Sequence, residues 1–97
     1  MRVSYSPRAI AQIEEITSYI ARDNPAAAAA MLERIERLTR LLSRFPLMGR
    51  ATDFPPVRVI GVPQYPYVMF YRFIVDTDEV RILRVRHTAR RPLPGYR

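Results

Sequence analysis

The stretch YVMFYRFIVDTDEVRILRVRH, residues 67–87, decides the fold because it predicts two long strands joined by a polar turn. Residues 67–75 are almost entirely apolar or aromatic, and residues 79–87 interleave apolar with basic side chains, as strands of a small sheet do. The intervening DTDE, residues 76–79, is short and polar, as a tight turn requires. The sequence therefore predicts an antiparallel hairpin in the middle of a sheet.

Strand alternation divides the side chains of this hairpin between two faces. One face of the first strand is expected to pack on helices and carries Met69, Tyr71, Phe73 and Val75. Its other face is also mostly apolar, is expected to be covered in part by a partner, and carries Val68, Phe70, Arg72 and Ile74. In the second strand, the alternation groups Val80 and Ile82 with Arg84 and Arg86, and groups Arg81, Leu83, Val85 and His87 on the opposite face.

Two helix starts precede the hairpin. Ser6-Pro7 and Asn24-Pro25 each combine a capping side chain with a proline at the first helical position, where the missing N–H costs nothing. Apolar residues at helical spacing then extend the two helices to about Arg22 and about Arg44. Because the break between them is so short, the helices should form an antiparallel pair.

Two shorter strands complete the layout, RVSYS at residues 2–6 and VRVIGV at 57–62. The second follows FPLMGR at 45–50, which ends the second helix, and a loop at 51–56. The order β-α-α-β-β-β predicts an α+β fold. We expect an N-terminal strand, a helical hairpin, and a three-stranded antiparallel segment that completes a small twisted sheet. At 97 residues the chain has room for one core, so we expect a single domain over residues 1–97 with a tail at 92–97.

The charge of the chain indicates an acidic partner. All 16 basic residues are arginine, the net charge is +7, and residues 57–97 carry eight arginines against three acids. Such a chain attracts nucleic acid or an acidic protein. Without cysteine and with a single histidine, we expect no disulfide, no metal site and no cofactor. No apolar run suits a signal peptide or a membrane span, so we expect a cytoplasmic protein.

Five pieces of the chain, in this order, resemble the RelE/ParE family of bacterial type II toxins. They are the first-helix pattern AIAQIEEITSYIA, the helix entry NPAAA, the following FPLMGR, the strand YVMFYRF and the ending DEVRILRVRHTARRP. The resemblance implies a toxin that a cognate antitoxin, encoded beside it, holds inactive in a hetero-oligomer. A basic, half-apolar sheet face beside a helical groove suits a small antitoxin with an acidic C-terminal segment. Such a segment would lay a helix on the hairpin and add a strand to the sheet edge.

The family divides by target, so the resemblance implies one of two activities. RelE-like members are described as ribosome-dependent endoribonucleases that cut mRNA, and ParE-like members as inhibitors of DNA gyrase without nuclease activity. The GR after the second helix, the YRF strand and the LRVRHTARRP ending look ParE-like. We therefore expect a toxin that poisons DNA gyrase. The alternatives are a RelE-like mRNA interferase and, from a third class, a plain basic nucleic-acid-binding domain.

The chemistry available in the sequence supports the same preference. Cleavage at a 2′-hydroxyl needs a base, an acid, and cations for the phosphorane, whereas His87 is the only group that titrates near neutrality. RelE-like ribonucleases use lysines, which this chain lacks, and other members pair a histidine with a glutamate after the second helix, where residues 45–64 contain none. We expect no catalytic residue; a ribonuclease would have to use His87, Arg84, Arg58 and Tyr71.

The basic residues are instead expected to bind the antitoxin or the target. The candidates are Arg58, Arg72, Arg84, Arg86, His87, Arg90 and Arg91. Plainer interpretations stay open for two of them. In these, Arg84 pairs with an acidic residue within the fold, and His87 is a hydrogen-bonded structural residue at a strand end.

Overall fold

A computed structural model describes residues 1–88, which form one five-stranded sheet and two helices. The elements are β1 (Arg2–Tyr5), α1 (Pro7–Ala21), α2 (Pro25–Arg44), β2 (Arg50–Ala51), β3 (Val57–Gly61), β4 (Tyr67–Ile74) and β5 (Glu79–His87). The strand order is β1-β5-β4-β3-β2, with β1 parallel to β5 and all other neighbours antiparallel. The predicted α+β layout is confirmed. The strand β2 is not among the predicted strands, so the prediction of a loop at 51–56 is wrong at Ala51. The predicted tail at 92–97 lies outside the described residues.

Both predicted helix starts are confirmed by their caps. The Ser6 Oγ accepts a hydrogen bond from the Ala9 N–H at 3.0 Å, and the Asn24 Oδ1 accepts one from the Ala27 N–H at 3.1 Å. The Ser6 hydroxyl also donates to the Leu83 carbonyl at 2.9 Å. One side chain therefore both begins α1 and fixes that helix to β5.

A β-bulge in β5 changes the faces that alternation predicts. Tyr71 lies opposite Ile82, but Phe70 lies opposite Arg84, so Leu83 is an extra residue on the β5 side. The assignment of faces in β5 is therefore wrong beyond Ile82. Val85 joins Ile82 beneath the helices, and Arg84 points to the opposite side with Phe70.

Apolar residues are buried on both sides of the sheet. The main core lies between the helices and the sheet and comprises Ala9, Ile13, Met31, Ile35, Leu38, Leu42, Val62, Met69, Tyr71, Val80, Ile82 and Val85. A smaller cluster of Val59, Val68 and Phe70 defines the opposite side, which we call the far face. The prediction that Val75 packs on the helices is wrong, because β4 ends at Ile74 and Val75 is 73% exposed in the following turn.

The buried Tyr71 hydroxyl fixes the segment between α2 and β2. It donates to the Pro46 carbonyl at 2.8 Å and accepts from the Gly49 N–H at 2.8 Å. The Arg58 guanidinium donates to the Gly49 carbonyl at 2.8 Å. We call these contacts the Tyr71 clip. They place Arg50 opposite Val59, which explains why β2 pairs where the sequence predicts a loop.

The Tyr71 clip predicts a steric requirement for glycine at position 49. A Cβ on Gly49 would lie 2.6 Å from the Tyr71 hydroxyl oxygen and 2.7 Å from its ring, so Gly49→Ala must displace a buried side chain. We expect Gly49→Ala to lower the free energy of unfolding by about 1–3 kcal/mol, measured by urea denaturation. Gly61→Ala is the matched control, since its Cβ meets nothing within 4 Å. Equal stabilities of the two variants would contradict the clip.

A carboxylate joins β1 to β5 at the other edge of the sheet. Glu79 accepts hydrogen bonds from the Ser4 hydroxyl and from the Thr77 hydroxyl, and its oxygens lie 3.6 Å from Arg81 and 3.8 Å from Arg2. These contacts lower the pKa of Glu79 below its usual 4.5, chiefly through the Ser4 and Thr77 hydrogen bonds and then through the two arginines. The ionised form is therefore the one that the folded state favours.

The lowered pKa of Glu79 predicts a pH-dependent contribution to stability. Its contribution is complete above the unfolded value near 4.5 and is lost as the pH falls through the lower folded value. We expect Glu79→Gln to be less stable than the wild type at neutral pH and to approach it as the pH falls below 4.5. Urea midpoints across this range measure the difference. Ser4→Ala should show the same pH dependence as Glu79→Gln. A difference in urea midpoint from the wild type that stays constant with pH would rule out an electrostatic role of Glu79.

Candidate functional site

The far face brings together arginines from β2, β4 and β5 around the small apolar cluster. Residues opposite each other on neighbouring strands point to the same side of a sheet. The register therefore places five arginines on this face, four of them beside an apolar residue of the neighbouring strand. The pairs are Arg50 with Val59, Arg72 with Val57, Arg84 with Phe70, Arg86 with Val68, and Arg81 with Arg72. Among the strand residues of the far face within residues 1–88, Glu79 is the only carboxylate. It lies near Arg81, at one end of the sheet.

Two of these arginines carry charge that nothing in the described chain neutralises. Within residues 1–88, neither Arg72 nor Arg84 forms an ion pair with a carboxylate. The Nε atoms of both are buried without a hydrogen-bond partner in the same residues. The pKa of Arg84 is lowered, first by burial and then by the charges of Arg8 and Arg86. The interpretation of Arg84 as the partner of an acidic residue is therefore wrong for this part of the chain.

Arg8 belongs to this cluster although sequence reasoning did not identify it. It lies in the first turn of α1, which the Ser6 hydroxyl holds against the Leu83 carbonyl, and its charge contributes to the lowered pKa of Arg84. No local pattern marks Arg8 as a site residue, because its position depends on the bulge and on the contact between cap and strand. The site is thus assembled from both ends of the chain.

The four residues that a ribonuclease would have to use do not share one face of the sheet. Arg58 and Tyr71 lie opposite each other on the helix side of the sheet, in the Tyr71 clip. Burial is the main cause of a raised pKa at Tyr71. His87 is also on the helix side, with its ring edge-to-face against Tyr67 at 5.1 Å, whereas Arg84 lies on the far face.

The remaining candidates divide in the same way. Arg72 and Arg86 lie on the far face with Arg84, and Arg58 does not. Arg90 and Arg91 lie outside the described residues.

A groove of about 550 Å³ runs between α1 and the end of β5, which we call the β5 groove. Its walls include Gln12, Ile16, Tyr19, Tyr67, Arg86 and His87. It exists because β1 pairs with β5 only over Glu79–Ile82, while β5 continues to His87. Beyond the paired part, the Val85 N–H donates to the Gln12 side chain at 2.8 Å.

Residues 1–88 contain no cluster of three or more histidine, aspartate or glutamate side chains that could hold a metal ion. Of the two helices described, neither has the length and apolar character needed to cross a membrane.

Comparisons with known proteins agree with this architecture. The model of a family described as the ParE toxin of the type II toxin–antitoxin system parDE matches residues 3–92. Y4kP of Sinorhizobium fredii, provisionally named a toxin, is 34% identical over 89% of this chain and 86% of its own. Toxin RelE2 of Caulobacter vibrioides is 34% identical over 92% of this chain and 97% of its own. A structure of the chromosomal ParDE system of P. aeruginosa superposes with a TM-score of 0.76 at 21% identity, covering 90% of this chain and 95% of that one.

The crowding of like charges on the far face predicts that it reduces the stability of the isolated protein. Arg84→Met keeps the apolar stem of the side chain but removes a charge that is partly buried beside Arg8 and Arg86. We expect Tm to rise by roughly 2–5 °C in thermal denaturation at low salt. Arg40→Met, at an exposed position on α2, is the matched control and should change Tm less. A larger loss of stability in Arg84→Met than in the control would contradict the electrostatic argument.

Proposed function

Because the chain belongs to the ParE toxin family of type II toxin–antitoxin systems, we propose that it inhibits growth by poisoning DNA gyrase. The family match extends over residues 3–92 and therefore includes both helices and the whole sheet except Arg2. The ParE-like character of the YRF strand and of the arginine-rich ending supports the same target. In this proposal the protein acts in the cytoplasm as a binding module and carries out no bond cleavage itself.

The separation of the potential ribonuclease residues is the observation that carries this proposal. General acid–base cleavage needs two proton-transfer groups and a cation within reach of one phosphate. The Tyr71 hydroxyl is buried and already donates its proton to the Pro46 carbonyl, while Arg84 lies on the other side of the sheet from His87. Of these four residues, only His87 is thus left to exchange a proton, whereas the cleavage needs two such groups.

We also propose that a cognate antitoxin with an acidic C-terminal segment neutralises the toxin in a hetero-oligomer. The net charge of +7 favours such a partner. Among residues 1–88, β1 has β5 as its only strand neighbour, so its outer edge is open to an added strand. The β5 groove, with the exposed Tyr19 on its α1 wall, suits a docked helix. Both features lie along the edge of the sheet that β1 and the end of β5 form.

Two reactions with purified components separate the two targets. The free toxin is added to DNA gyrase with relaxed plasmid, and in parallel to a translation reaction in which mRNA ends are mapped. We expect loss of supercoiling together with gyrase-dependent DNA breaks, and no new mRNA ends, because the protein binds its target without cutting RNA. Addition of the antitoxin should restore supercoiling.

Cleavage of mRNA in place of gyrase inhibition would identify the other target. Cuts in ribosome-bound mRNA with normal supercoiling would overturn the gyrase proposal. If those cuts then disappeared in His87→Ala while antitoxin binding persisted, His87 would be the catalytic group of a ribonuclease.

A further inference from the structure

We propose that the far face binds the phosphate backbone of duplex DNA. The inference rests on the proposed function, in which the relevant duplex is the segment that gyrase holds. It assigns to the arginines a ligand class, phosphodiesters, in place of an unspecified target surface. Four independent features of the far face support it.

The first feature is the type of cation. Every basic group on the far face is a guanidinium, and a guanidinium binds the oxygens of a phosphate through two parallel hydrogen bonds. Arg72 and Arg84 form no ion pair with a carboxylate within residues 1–88. Their charge is therefore available to an anion from outside the chain.

The second feature distinguishes a nucleic acid from a protein partner. Val59 and Phe70 are each 3% exposed and Val68 is 8% exposed, so the apolar centre of this face is already covered. A stable protein interface needs an apolar core that it buries on association. A surface whose accessible groups are charged and not apolar is better suited to DNA, because contacts to the phosphate backbone dominate the affinity for DNA.

The third feature is the spacing of the arginines across the sheet. Arg50, Val59, Phe70 and Arg84 form one cross-strand row. The two arginines are thus three strand spacings apart, about 14 Å at ~4.8 Å per strand. This separation is close to the ~12 Å width of the major groove of B-DNA, so the two guanidinium groups can contact phosphates on its opposite sides.

The fourth feature is the electrostatic cost of the unliganded face. Arg8 and Arg86 both disfavour the charged form of Arg84, which is itself partly buried. A phosphate beside Arg84 would turn repulsion between cations into attraction to a shared anion. Binding to a polyanion would therefore recover stability that the isolated protein lacks.

The test measures binding of the free toxin to a fluorescent random-sequence duplex by anisotropy over a range of salt concentrations. We expect the double variant Arg72→Gln/Arg84→Gln to weaken binding at least about tenfold. It should also reduce the slope of the logarithm of the association constant against the logarithm of the salt concentration, by about 1 for each arginine removed. The matched control, Arg22→Gln/Arg40→Gln, removes the same charge from exposed positions just after α1 and on α2, and it should leave the slope nearly unchanged. Thermal denaturation checks that both double variants are folded.

Three outcomes would overturn the inference. One is an equal loss in both double variants, which would mean that only net charge matters. Another is tighter binding to a single-stranded RNA of equal length or to a polyglutamate peptide than to the duplex. The last is gyrase poisoning by a toxin that shows no affinity for DNA, which would leave the proposed function intact. Conversely, DNA binding that persists while gyrase is unaffected would support the far face as a DNA site and refute the gyrase target alone.

Discussion

The β-bulge at Leu83 determines which side chains of β5 face the helices and which face outward. With strict alternation, Arg84 would lie on the same side as Ile82, beneath the helices, where a guanidinium would meet an apolar core. The extra residue turns Val85 inward instead. The Ser6 hydroxyl on the Leu83 carbonyl and the Gln12 side chain on the Val85 N–H then satisfy backbone groups that β1 is too short to reach. The apolar core, the contact of α1 with β5 and the arginine cluster therefore all depend on this one β-bulge.

Much of the fold follows from local patterns, and the exceptions have a common physical origin. The caps at Ser6 and Asn24 can be predicted because they depend only on neighbouring residues. The bulge cannot be predicted in this way, because the alternation of apolar and polar residues carries no signal for one inserted residue. A shift of one residue moves every later side chain of the strand to the opposite face. The strand β2 escapes prediction for a related reason. It forms because Tyr71, far along the chain, fixes the segment around Gly49.

The candidate site was predictable in composition and not in geometry. The arginines of β4 and β5 stand out in the sequence, but their division between two sides of the sheet depends on the register. Arg58 looks equivalent to Arg72 as a basic strand residue, yet it lies on the helix side and supports the Tyr71 clip. Arg8 joins the site through a helix cap and not through any motif. Sequence could thus indicate a basic surface without indicating which arginines form it.

The composition of the far face also bears on the type of function it can have. Arginine stays protonated at neutral pH, so a cluster of arginines can hold an anion but cannot exchange protons with it. A face of this kind, separated from His87 and from the Tyr71 hydroxyl, is suited to recognition and not to cleavage. Its crowded charge is a cost that the isolated chain carries, as functional surfaces often do. That cost is removed when an anionic partner occupies the face.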